Sequence, residues 1–325
     1  MRNITNRLDK GLVPTIPYIP KVIHEYFAQN DIKKARETYA QFVAPSFELA
    51  DQITDVTSEK IVIPSYINDV EINLYIYTPV DREGALPLLY WIHGGGLVIG
   101  GAKMDELLLK TIAKMVGCKV VSVEYRLAPE VQFPIPLYDC YDGLKYVFDN
   151  YQILNINPKK VALGGQSAGG GLAAALAQLV RDRNEFEYPI IFQTLIYPML
   201  DDRNTKLLEE NQEDHYLWSK TANIYGWTSY LGMQPGTEAT PKYASAARMD
   251  NLTDLPSTMI LVGEIDLFCL ESIDYAARLI ASGVSTELHV FPGAYHGSEG
   301  MNPDIFVSQQ HNMMVLSGLQ RVFAN

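Results

Sequence analysis

The run Lys160-Val161-Ala162-Leu163-Gly164-Gly165-Gln166-Ser167-Ala168-Gly169 decides the architecture. Lys160–Leu163 is short and apolar and reads as a strand, while Ala168–Arg183 reads as a helix. Gly165-Gln166-Ser167-Ala168-Gly169 joins the two with no intervening loop. G-x-S-x-G alone is a weak signal, because small residues make many tight turns. Between a strand and a helix it describes a strained turn that lifts a serine hydroxyl off a sheet. Flanking glycines suit such a turn, where a Cβ would collide with neighbouring backbone. The N-terminus of the following helix lies beside the hydroxyl, and its dipole favours negative charge developing on a bound carbonyl oxygen.

Outward from this turn, short apolar runs predict strands at Lys60–Ile63, Glu71–Tyr77, Leu88–Ile92, Lys119–Glu124, Ile190–Ile196, Thr258–Val262 and Glu287–Phe291. Helical periodicity falls between them at Met104–Met115, Leu137–Tyr151, Leu270–Ser282 and Ile305–Phe323. Alternating strands and helices imply an α/β chain with a mostly parallel sheet covered on both faces. The short gap Ser65–Val70 makes the first two strands an antiparallel hairpin. Two stretches fit the alternation poorly. One is the first fifty residues, with a helical pattern over Asp31–Val43. The other is Leu200–Gly236, rich in charge and in aromatics such as Tyr216, Trp218, Tyr225, Trp227 and Tyr230. The division expected is an N-terminal part of a cap over 1–50 and a catalytic domain over 51–325, with a cap insertion at about 200–236. The alternative for Met1–Leu49 is a peripheral helix pair.

Bulk properties bound the function. With 47% hydrophobic and 20% charged residues, the 325-residue chain has the composition of a globular protein rather than a disordered polymer. A formal net charge of −12 repels phosphate backbones, so no nucleic-acid partner is expected. Three cysteines, Cys118, Cys140 and Cys269, are too few and too odd in number for a disulfide framework. Met1–Pro20 lacks the apolar core of a signal peptide, and no apolar run reaches the ~18 residues of a membrane span. A soluble cytoplasmic protein with no membrane partner is the simplest expectation.

His93-Gly94-Gly95-Gly96 follows the strand Leu88–Ile92. Three successive glycines have no side chains to pack and present bare backbone N–H groups, which with the N–H of Ala168 can form an oxyanion hole. His93 is read as ordering this loop rather than reacting. The histidines downstream of Ser167 are His215, His289, His296 and His311. His289 falls in a strand pattern, His215 in the presumed cover and His311 in a helix. His296 lies in the loop Pro292–Gly297 just past the last strand, where working groups of a parallel sheet gather. It is the candidate base. The candidate acid is Asp266, just past the strand Thr258–Val262, with Glu264 and Glu271 as near rivals.

The ordered set of motifs resembles the hormone-sensitive-lipase-like esterases of the α/β-hydrolase fold. The resemblance spans about Pro87 to Gly297. It is carried by His93–Gly96, by Tyr125-Arg126-Leu127-Ala128-Pro129-Glu130 with Phe133-Pro134, by Gly165–Gly170, by Asp266–Glu271 and by His296-Gly297. It implies a sheet of about eight strands with a helical cap, an ester hydrolase without metal or organic cofactor, and oxyanion donors Gly95, Gly96 and Ala168. It also implies that Tyr125–Glu130 supports the catalytic loops, with Arg126 and Glu130 as internal ion-pair partners. The chain departs from the family at two places. Leu267-Phe268 stands where the family has Pro-Leu after the acid, and Gln166 stands where it has Asp, which bears on substrate choice.

The expected cycle uses Ser167 as nucleophile, His296 as base and Asp266 as the acid that holds the imidazole. The expected partner is a small-molecule ester with a short acyl chain. The charged start of Leu200–Gly236 (Asp201, Asp202, Arg203, Glu209, Glu210) suits a soluble cover better than an interfacial one. Trp218 and Trp227 either line a compact pocket or pack the cover on the core. An amidase, lactonase or peptidase would use the same groups, and a ligand-binding homologue without turnover is the reading of a different class. Self-association is left open.

Overall fold

The computed structural model describes residues 4–20, 22–66, 70–204 and 215–324. Eight strands form one sheet: β1 (Val56–Pro64), β2 (Glu71–Pro79), β3 (Leu86–Ile92), β4 (Lys119–Glu124), β5 (Ile156–Gln166), β6 (Phe192–Ile196), β7 (Ser257–Gly263) and β8 (Thr286–Phe291). Their order is β1-β2-β4-β3-β5-β6-β7-β8. β1 runs antiparallel to β2 and β2 antiparallel to β4, while β4, β3 and β5 to β8 are mutually parallel. Each strand expected from the sequence is present, within a few residues of its limits. Ser65 N–H bonds Val70 O at 2.9 Å at the end of the β1–β2 hairpin; residues 67–69 of that turn lie outside the described residues.

Successive side chains of a strand point to opposite faces, and β3 shows the consequence. Leu88, Tyr90 and Ile92 enter one apolar core, and Leu89 and Trp91 enter another on the far side of the sheet. The covering helices are α1 (Val22–Ala28), α2 (Ile32–Asp51), α3 (Glu106–Ile112), α4 (Ile135–Asp149), α5 (Ala168–Arg183), α6 (Lys220–Leu231), α7 (Cys269–Ala281), α8 (Ser298–Met301) and α9 (Phe306–Ala324).

Two helical expectations need correction. Met104–Met115 is not one helix. It is a 3-10 turn (Ala102–Asp105), then α3, then a π turn (Ala113–Gly117). The 3-10 turn carries Asp105 into the interior, where its Oδ2 accepts from Trp91 Nε1 at 2.7 Å. The pattern seen over Asp31–Val43 continues to Asp51, through Pro45. Proline removes one helical N–H donor without ending this helix. Asp31 caps its start, accepting from Lys34 N at 3.2 Å.

The two stretches that fit the alternation poorly meet in space. Phe27 of α1 stacks on Tyr225 of α6 at 5.0 Å and meets Trp218 edge-on at 5.9 Å. Ser219 caps α6, accepting from Ala222 N at 3.2 Å, and Gly232 closes it in the left-handed conformation. Residues 205–214 of the expected insertion, with Glu209 and Glu210, lie outside the described residues. Among the described residues, no helix is long and apolar enough to cross a membrane.

Candidate active site

Ser167 sits between the end of β5 and the start of α5 with φ +55 and ψ −123. A non-glycine residue there is strained by about 1–3 kcal/mol and persists only where its surroundings over-determine it. Three backbone bonds do so. Ser167 N–H donates to Ile196 O at 2.8 Å, and Ser167 O accepts from Gly171 N at 3.0 Å and Met199 N at 2.9 Å. Close approach explains the glycines. A Cβ on Gly165 would stand 2.4 Å from Gly169 O, and one on Gly169 would stand 2.0 Å from Ile92 O.

His296 Nε2 lies 2.9 Å from Ser167 Oγ, and His296 Nδ1 lies 2.8 Å from Asp266 Oδ2. A carboxylate only accepts, so Nδ1 carries the proton and Nε2 turns a lone pair to the serine hydroxyl. Asp266 Oδ1 accepts from Phe268 N at 2.9 Å, which fixes the carboxylate plane. All three side chains are buried. Tyr197 lies 4.5 Å from the His296 ring and Phe268 meets it edge-on at 5.3 Å. The serine, acid and histidine thus follow the carboxyl ends of β5, β7 and β8 on one edge of the sheet, with β6 between the first two. The arrangement can move a proton from the hydroxyl to the imidazole as the oxygen attacks a carbonyl.

The rivals are engaged elsewhere. Glu264 pairs with Arg7 at 2.8 Å and accepts from Gly293 N at 3.1 Å; the guanidinium holds its carboxyl below the usual range. Glu271 accepts from Leu200 N at 2.7 Å and Asp201 N at 3.3 Å, and burial pushes its carboxyl well up. Its place is under the loop after β6. His289 contacts Glu287 at 2.7 Å, and the His311 ring lies 5.2 Å from Phe291.

Gly95 and Gly96 both have positive φ, +112 and +58. A Cβ on Gly95 would stand 1.9 Å from Ile99 O, and one on Gly96 would stand 1.9 Å from Trp218 Cη2. The Gly95 carbonyl accepts from Val98 N at 3.1 Å and Ile99 N at 2.9 Å, and neither the Gly95 nor the Gly96 amide donates within the described residues. Gly94 packs on the elbow, where an added Cβ would lie 3.1 Å from Gln166 O. His93 Nδ1 donates to Gly94 O at 2.7 Å, and its ring stacks on Tyr125 at 4.2 Å. Tyr125 Oη in turn donates to His93 O at 3.1 Å. Burial pushes the His93 imidazole down to about 4, only partly offset by the bond to Gly94, so the ring is neutral.

Arg126 and Glu130 are not paired as expected. Arg126 forms an ion pair with Asp139 at 2.6 Å, and Glu130 forms one with Arg36 at 2.6 Å. Arg36, which sequence reasoning missed, also donates from Nε to Val98 O at 2.8 Å and from Nη2 to Ala128 O at 3.0 Å. It ties α2 to the glycine loop. Its acceptors are backbone carbonyls 62 and 92 residues away, a pairing with no short-range signal.

α6 closes over the site. Besides the Trp218 contact, a Cβ on Gly226 would lie 2.5 Å from Gly96 O. Below it a cavity of about 10 Å³ is lined by Leu97, Ala168, Leu172, Met199, Trp227 and Tyr230 among others. Of the two tryptophans, Trp218 packs against the glycine loop and Trp227 borders this small void.

Known proteins share the fold. A family model described as alpha/beta hydrolase fold matches residues 89–299. The solved structure titled bacterial heroin esterase superposes with a TM-score of 0.91 at 36% identity, covering 98% of both chains. The esterase LipW from Mycobacterium marinum superposes at 0.84 with 31% identity, covering 98% of this chain and 97% of that one. The carboxylesterase NlhH of Mycobacterium tuberculosis is 30% identical over 87% of this chain and 89% of its own length. With this sheet order, this serine turn and these relatives, the chain belongs to the hormone-sensitive-lipase-like esterase family of the α/β-hydrolase fold.

Proposed function

We propose that this esterase cleaves short-chain acyl esters through a covalent intermediate on Ser167. The observation that carries the reading is the continuous contact from Asp266 to His296 to Ser167, at 2.8 and 2.9 Å. His296 takes the serine proton as the hydroxyl attacks the ester carbonyl. The oxyanion is received by the N–H groups of Gly95, Gly96 and Ala168, and His296 returns its proton to the leaving alcohol. Water then attacks the acyl-enzyme by the same route. Asp266 holds the imidazole in the Nδ1–H tautomer and stabilises the imidazolium. α1, α2 and α6 act as the cap, and His93 and Gly94 order the glycine loop.

Chain length follows from room. A methylene gains roughly 0.8 kcal/mol on burial only while space remains for it. The charged residues that open the segment after β6, Asp201, Asp202 and Arg203, suit a soluble cover rather than a lipid-seeking groove. The test is kcat/KM for p-nitrophenyl esters from acetate to palmitate in detergent-free buffer. The reading predicts a maximum at about two to six acyl carbons. A rise continuing through decanoate would contradict it. Matched amide and lactone substrates separate the esterase from other acyl-transfer hydrolases.

A further inference from the structure

Beside the Ser167–His296 pair, five side chains hydrogen-bond in series without a part in the cycle above. Trp91 Nε1 donates to Asp105 Oδ2 at 2.7 Å, and Gln166 Nε2 donates to Asp105 Oδ1 at 2.6 Å. Gln166 Oε1 lies 3.0 Å from the Tyr197 hydroxyl, which lies 2.6 Å from Glu299 Oε1. The series touches the reacting pair twice. Gln166 is the residue before Ser167, and the Tyr197 ring packs 4.5 Å from that of His296. Tyr197 is itself held in a positive-φ conformation, with its N–H on Leu261 O at 2.6 Å.

Counting protons exposes an imbalance. Tyr197 has one hydroxyl proton and faces two acceptors. While Asp105 is ionised, Gln166 must turn its NH₂ to that carboxylate and its oxygen to Tyr197. The hydroxyl then satisfies Gln166 or Glu299, not both. A proton on Asp105 lets the carboxamide turn over. Asp105 O–H donates to the Gln166 oxygen, the Gln166 NH₂ donates to the Tyr197 oxygen, and Tyr197 O–H donates to Glu299. Trp91 keeps its bond to the other Asp105 oxygen, and every link has one donor and one acceptor.

We propose that Asp105, Gln166, Tyr197 and Glu299 are positioning residues that align Ser167 with His296, and that one proton on Asp105 reverses the direction of their hydrogen bonds. The inference rests on Ser167 and His296 being the reacting pair. The surroundings of Asp105 make that proton available near neutrality. Burial pushes its carboxyl up to about 7, the Glu299 charge adds to the rise, and the Trp91 N–H opposes it. The phenols of Tyr39, Tyr77, Tyr125 and Tyr197 that face it are all held above the usual range by burial and stay neutral. The adjacent Glu106 is paired with Lys103 and Lys110.

The experiment measures kcat and KM from pH 5 to 9 for wild type, Asp105→Asn, Asp105→Leu and Tyr197→Phe. Each protein is first titrated with an organophosphate on Ser167, so failure of the nucleophile assignment shows as absent labelling, apart from any rate effect. Asp105→Asn reproduces the protonated pattern, its oxygen accepting from Trp91 and its NH₂ donating to Gln166. The wild-type kcat profile should show two titrations and that of Asp105→Asn only one. Asp105→Leu, which can make neither bond, should lose about tenfold or more in kcat with little change in KM. Tyr197→Phe keeps the ring against His296 and should lose kcat at least about threefold together with the second ionisation. It decides the matter if the leucine variant does not fold. An Asp105→Asn profile of wild-type shape, or unchanged kcat in Tyr197→Phe, would overturn the proposal.

Discussion

The indole of Trp218 lies directly on the backbone of Gly96, so closely that a β-carbon there would come within 1.9 Å of Cη2. Trp218 and the glycine loop therefore cannot change independently. Gly96→Ala should lower kcat/KM by about 10²-fold, the scale of losing one oxyanion donor. Trp218→Ala in the same chain should recover part of that loss, because it removes the clash and leaves only the strain of alanine at φ +58. Gly95→Ala should not be rescued in this way, since its β-carbon meets the backbone oxygen of Ile99. Steady-state kinetics on the three single and two double variants give the coupling directly.

Asp266→Asn should cost far more than Glu264→Gln or Glu271→Gln. Asp266 Oδ1 accepts from Phe268 N, so an asparagine that keeps this bond must turn its NH₂ toward His296 Nδ1. That forces the proton onto Nε2, which can no longer take one from Ser167. A wrong tautomer of this kind costs ~10⁴-fold. The Glu271→Gln side chain can still accept from Leu200 N. A larger loss from Glu271→Gln in a folded protein would move the acid role to that residue.

Two buried groups give opposite pH dependence of stability. His93 is held down to about 4, so between about 4 and its unfolded value near ~6.5 the unfolded chain binds more protons, and stability rises with pH. Asp105 is held up to about 7, so between its ordinary 3.8 and 7 the folded chain binds more protons, and stability falls as pH rises. Each window is worth on the order of a few kcal/mol, and the two partly cancel in the wild type. Urea unfolding of the variants separates them. Asp105→Asn should gain on wild type as pH rises to 7, and the deficit of His93→Asn should shrink on acidification from 6.5 to 4. Differences that do not vary with pH would contradict both assignments.

Arg36 holds the carbonyls of Val98 and Ala128 through a planar fork, while Glu130 balances its charge. Arg36→Lys should behave much like Arg36→Ala, because an ammonium cannot reach both carbonyls in that geometry. Both should reduce kcat/KM severalfold and alter the acyl-length profile, as should removal of the first ~45 residues. An unchanged length profile in the truncated protein would make α1 and α2 a peripheral pair.

The parts of the site that the sequence displayed are those fixed by local backbone demands. The elbow needs glycines at 165 and 169 because Gly169 O and Ile92 O stand where a β-carbon would go. Asp266 and His296 were legible because each follows a strand in a parallel sheet. Long-range partners were not legible. Nothing near Arg126 in sequence ranks Asp139 above Glu130, and only the return of α4 beside β4 does so. Asp105 read as one residue of an amphipathic helix because its partners, Trp91 and Gln166, lie on β3 and at the elbow, and the shift to 3-10 pitch turns it inward.

Whether Ser167 attacks the ester is tested by one paired measurement: intact-mass and peptide-level analysis after treatment with a serine-directed organophosphate, alongside p-nitrophenyl acetate hydrolysis, for wild type and Ser167→Ala. The account predicts one adduct per chain on the peptide containing Ser167. It also predicts no adduct in the variant, and a loss of turnover of roughly 10³-fold or more with the fold intact, since only binding and the oxyanion donors remain. A folded Ser167→Ala protein that turns over ester at close to the wild-type rate, or an adduct on another residue that abolishes activity, would contradict it.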